Sequence, residues 1–142
     1  MLKIIDRIFG GLLVLAAGGH TVGTILWTKP MSGIFIWSLG SSLAAGLLAT
    51  LNIVRAGRPD DKTLAVITAI GTACWAVVAF SFGLSIGNVF DARPLGHVII
   101  SIVLVIFSTL TLWRTSPEKP SRMSTQAATQ ERPIASTVQG TN

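Results

Sequence analysis

The stretch from Thr63 to Phe90, TLAVITAIGTACWAVVAFSFGLSIGNVF, runs for 28 residues without an Asp, Glu, Lys or Arg. A helix needs about 20 apolar residues to cross a hydrocarbon core ~30 Å thick. The stretch therefore reads as a membrane-spanning helix, and the rest of the chain repeats the pattern. Three more uncharged segments cover residues 8–28, 30–54 and 94–113, which are 21, 25 and 20 residues long. Their interiors are rich in Leu, Ile, Val, Ala and Phe. The spacing predicts four transmembrane helices near 5–27, 32–54, 63–86 and 94–114.

Composition agrees. Of 142 residues, 50% are hydrophobic and only 12% are Asp, Glu, Lys or Arg, and the mean hydropathy is +0.65. Soluble domains carry roughly a quarter charged residues. Disordered chains need low hydrophobicity. Both classes are excluded for the first 114 residues. A single cysteine excludes a disulfide framework and any multi-cysteine metal site within the chain. Outer-membrane barrels need ~10-residue alternating segments, and none occurs. The run from Val98 to Phe107 has β-propensity, but a lone strand cannot satisfy its backbone in lipid, whereas a helix can.

Orientation follows from the basic residues. Four spans put Lys3, Arg7, Arg55, Arg58, Lys62, Arg114, Lys119, Arg122 and Arg132 on one side, against Lys29 and Arg93 on the other. This positive-inside bias predicts that both termini are cytoplasmic. It also accounts for a pI near 10.4 without a nucleic-acid partner, and the basic face should favour anionic lipid headgroups. Ala16-Ala17-Gly18-Gly19 offers small residues of the kind found at signal-peptide cleavage sites. The uncharged segment continues through Trp27, however, so we read it as a retained span.

The connections are short. Thr28–Gly33 is a tight turn flanked by the interfacial aromatics Trp27 and Trp37. Arg55–Lys62 reads as a polar cytoplasmic turn, with Gly57 ending one helix and Asp60 or Asp61 capping the next. Gly87–Pro94 reads as helix stop, turn and helix start, and Pro94 suits a first helical turn. Short loops make sequential helices antiparallel, so the expected fold is an all-α up-down four-helix bundle. Of the last 28 residues, 17 are Ser, Thr, Pro, Gln, Gly or Asn, so residues 115–142 are expected to be a disordered cytoplasmic tail.

Helices in lipid associate through close backbone approach. Gly19 and Gly23 form a GxxxG pair, and Gly40, Ala45, Ala49, Gly83 and Gly87 stand among other small residues at helical spacing. They are expected to serve helix packing within the chain, or else a homo-oligomer interface. Asp6 and Arg7 read as interfacial, so no charged side chain is expected deep in a span. Without intramembrane carboxylates, proton-coupled export, proton pumping and voltage sensing are disfavoured.

The candidate site lies at the outer end. His20 is ~3 Å and His97 ~10 Å to the outer side of their span midpoints, at 1.5 Å per residue. Helix tilt and side-chain reach can absorb the ~7 Å offset. Thr24 and Ser101 each stand one turn from a histidine, and Ser85 and Asn88 belong to the same outer half. Three readings compete: histidines that fix packing, a polar pocket for a lipid-like or quinone-like molecule, and axial ligation of a b-type haem. Two imidazoles without carboxylate or thiolate make a poor zinc site, and no metal is expected. Asn52 should hydrogen-bond a neighbouring helix or cap its span. Cys74, beside Trp75, reads as a buried inert thiol.

The segment Gly18-Gly19-His20-Thr21-Val22-Gly23-Thr24, followed by Trp37-Ser38-Leu39-Gly40, resembles short uncharacterised bacterial four-span membrane proteins over roughly residues 1–114. In span count and size the plan is also similar to DoxX-like four-helix membrane proteins. The resemblance implies a bacterial plasma membrane and transfers no activity. No nucleophile–base set, phosphate-binding glycine loop or HExxH motif is present. The expectation is a non-enzymatic accessory or hydrophobic-ligand-binding bundle without a cofactor, in contact with lipid and with a membrane partner or a second copy. The alternatives are a haem b or quinone redox carrier using His20 and His97, and a homo-oligomeric pore or transporter.

Overall fold

The computed structural model describes residues 2–113, so the expected tail lies outside the described residues. Four helices follow one another: α1 Leu2–Trp27, α2 Gly33–Gly57, α3 Lys62–Ser85 and α4 Ala92–Trp113. The described residues contain no strand. All four helices are long and apolar enough to cross a membrane. The chain is thus built as a multi-pass helical membrane protein.

Caps define the helix starts. Ser32 Oγ accepts the Phe35 N–H at 3.2 Å, and Asp61 Oδ1 accepts the Leu64 N–H at 2.9 Å. Gly87, at φ +70°, makes the turn after α3. Met31 takes a similar backbone conformation, at φ 60°, in the loop after α1.

Helix α1 packs most extensively on α2, and α3 on α4. The two pairs meet along α1–α4 and α2–α3, with little contact between α2 and α4. Each inner face is a stripe with three- and four-residue spacing, such as Ala65, Thr68, Thr72, Trp75, Ala79 and Gly83 on α3. The central cluster is Leu13, Ala17, Ala45, Ala49, Trp75 and Leu104. Most large aliphatic side chains instead face outward, while the buried positions are largely small or polar. This partition suits lipid, where small and polar residues hold helices together.

Glycine matters at two close approaches. A Cβ at Gly10 would stand 2.6 Å from Ile53 Cγ1, and one at Gly71 would stand 2.7 Å from Leu48 Cδ2. Both contacts cross between helices. Gly19 and Gly40 behave differently, since nothing lies within 4 Å of where their Cβ atoms would be.

Three local expectations are corrected. Arg55 belongs to α2, not to the following turn, and it is fully buried. Asp6 is also buried, because it pairs with Arg55; Arg7 remains exposed. Cys74 is exposed on the outer face of α3. Adjacent helical residues point in different directions, so Trp75 can enter the core while Cys74 turns away.

Candidate functional site

Two polar clusters occupy opposite ends of the bundle. At the basic end, Arg55 donates from one terminal nitrogen to Asp6 Oδ1 at 2.5 Å and to Asn52 Oδ1 at 3.3 Å. Its other terminal nitrogen donates to Thr111 Oγ1 at 3.1 Å. The Asn52 amide donates to Thr72 Oγ1 and to the Leu48 carbonyl, both at 2.9 Å. Ser108 Oγ lies 3.1 Å from Thr68 Oγ1 and 3.4 Å from Asn52 Oδ1. The network therefore draws side chains from all four helices. Lys62 closes it from above, donating to the Thr111 and Leu112 carbonyls at 2.7 and 3.0 Å at the C-terminal end of α4. Asn52 thus bonds a neighbouring helix, as its position suggested.

A buried ion pair costs desolvation, and hydrogen bonds to its remaining groups offset part of that cost. Here Asn52 and Thr111 supply such bonds. The sequence reading missed this network because it treated Arg55 as the edge of an uncharged gap. The available signal was the spacing Ser101–Leu104–Ser108–Thr111 on α4, matched by Thr68–Thr72–Trp75 on α3.

At the histidine end, Trp75 Nε1 donates to His97 Nδ1 at 3.3 Å. The two rings meet edge to face, with centroids 5.7 Å apart and planes at 75°. An indole N–H only donates, so Nδ1 is the acceptor and neutral His97 carries its proton on Nε2. His20 is partly buried on α1. Thr24 is buried and donates to the His20 carbonyl at 2.8 Å. Ser101 is fully buried, and its hydroxyl has no hydrogen-bond partner. Ser85 and Asn88 stand apart from this group. Ser85 is exposed and donates to the Phe82 carbonyl, while Asn88 accepts the Phe90 N–H in the exposed turn.

A histidine that binds metal through Nε2 normally carries a proton on Nδ1 and donates it outward. His97 has the opposite arrangement, so ligation through Nε2 would require the Trp75 bond to break. No group of three or more His, Cys, Asp or Glu side chains converges to hold a metal among the described residues.

Other packing candidates are distributed unevenly. Ala45 and Ala49 are fully buried in the core. A Cβ at Gly83 would stand 3.2 Å from Val89 Cα, so α3 meets the following turn closely there. Gly23 faces only its own helix neighbour Trp27, and Gly87 serves the turn.

A third feature lies on the flank. A groove of about 490 Å³ runs between α1 and α2. Ala17, Gly18 and Gly46 line it together with Leu39, Leu43 and Leu47. Its hydroxyls are all engaged with their own helices. Thr21 donates to the Ala17 carbonyl, Ser42 to Ser38 and Thr50 to Gly46, at 3.0, 3.1 and 2.9 Å.

No family model matches the chain, and no curated protein or solved structure is significantly similar to it. The architecture defines the class, a four-helix multi-pass membrane protein, and the function has to be argued from the site.

Proposed function

We propose that this chain is a non-enzymatic accessory bundle of a bacterial plasma membrane that holds a small hydrophobic ligand in the groove between α1 and α2. The groove carries the reading. Its volume falls in the usual range for small-molecule sites, roughly 300–1,000 Å³. Its walls are apolar, and its hydroxyl protons are already bonded to helix carbonyls. The chemistry therefore favours an acyl or isoprenoid chain over a polar head. The basic residues support cytoplasmic termini, with the Asp6–Arg55 network at the cytoplasmic end and the histidines at the other.

The test is native mass spectrometry of the full chain, purified in mild detergent from bacterial membranes. The wild type should retain an apolar species, and Gly46→Leu should lose it. A Cβ at Gly46 meets nothing within 4 Å, so this substitution fills the groove without pressing on the core. A wild type that retains nothing, or a variant that retains the same species, defeats the proposal. Reporter fusions at both termini test orientation separately.

A further inference from the structure

We infer that the small cavity beside Arg55, at the basic end of the bundle, is a binding site for a single water molecule that completes the four-helix network. The cavity has a volume of about 10 Å³, which is about the room one water needs. Arg55, Asp6 and Thr111 supply its polar lining, and Phe107 and Leu110 its apolar walls. The exposed Lys3 also borders it.

The donor count points to the same ligand. Both terminal nitrogens of the Arg55 guanidinium are engaged, with Thr111 on one and Asp6 and Asn52 on the other. Arg55 Nε is buried and has no hydrogen-bond partner. A buried charged donor left unbonded is costly, and a water can accept from it. Thr111 Oγ1 donates to the Phe107 carbonyl at 2.9 Å and accepts from Arg55, which leaves it one lone pair. A carboxylate has about four acceptor positions, so Asp6 can receive the other water proton. The water would then make about three bonds, the usual number for a buried water. The Asp6 carboxylate repels anions, and the volume is too small for a hydrated ion.

The test uses the full chain. In lipid bicelles with labelled arginine, the Arg55 Nε–H should show a magnetisation-transfer cross-peak to a long-lived water. A resolved Nε–H signal without a water cross-peak overturns the inference. A high-resolution structure provides an independent reading. Ordered density should stand about 2.7–3.2 Å from Arg55 Nε, Asp6 and Thr111, whereas a protein atom bonded to Nε in its place would overturn it. Thr111→Val, which keeps the shape but removes one acceptor, should weaken the water cross-peak.

Discussion

Asp6 and Arg55 stand 49 positions apart in sequence and form a hydrogen-bonded ion pair inside the bundle, with side-chain exposures of 8% and 0%. The pair joins the start of α1 to the end of α2. Removing one partner leaves the other charge buried, so Asp6→Ala should cost about 3–5 kcal/mol. Replacing both, as in Asp6→Val with Arg55→Met, should cost much less than the sum of the single changes. Reversible unfolding in bicelles, arranged as a double-mutant cycle, measures the coupling. Additive effects would mean that the pair does not act as a unit.

The Trp75–His97 bond sets a tautomer. Nitrogen chemical shifts of neutral His97 should show the proton on Nε2. Trp75→Phe removes the donor that enforces this choice, so the two tautomers should then mix. A wild-type spectrum with the proton on Nδ1 would contradict the bond.

The four helices were legible from the charge gaps, because lipid leaves a long apolar segment little choice but helix, and the up-down bundle was legible from the short loops. The ends were less legible. Charge counting assigns Arg55 to a loop, but the helix continues to Gly57 and carries the guanidinium inward to Asp6. Nothing local to either residue announces a partner on another helix. The place of His97 near the start of α4 was legible from the charge gap. The Trp75 donor was not, because that contact depends on which faces of α3 and α4 meet.

Asp91 gives a pH signature in the exposed turn before α4. Side-chain and backbone hydrogen bonds with Arg93 hold its carboxyl down to about 2, below the usual 3.8. The folded-state value is depressed, so its stabilising effect is present above the ordinary value and is lost as pH falls from about 4 through about 2. Arg93→Gln should return the carboxyl to the ordinary range. Carbon-detected titration of Asp91 measures both. An unchanged titration in the variant would remove Arg93 as the cause.

At Gly10 helix α1 packs tightly on α2. Ile53 Cγ1 would stand 2.6 Å from an added Cβ, closer than side chains pack, so Ile53 or the helix must shift. Gly10→Ala should therefore cost about 1–3 kcal/mol by overpacking. Gly18→Ala, on the same helix with open space beyond it, serves as the control and should be near neutral. Unfolding of both variants under one condition separates the packing effect from the helix propensity they share.

Cys74 tests where the bundle sits. It lies twelve residues beyond Lys62, ~18 Å along α3 at 1.5 Å per residue, and it faces outward. If α3 spans a hydrocarbon core ~30 Å thick, this thiol points into lipid near mid-depth. It is the single cysteine of the chain, so a spin label can be attached without other changes. In reconstituted vesicles, the label should be relaxed strongly by oxygen, which concentrates in lipid, and weakly by a polar nickel complex, which does not. Reversed accessibilities would place this face of α3 in water and remove that helix from the membrane.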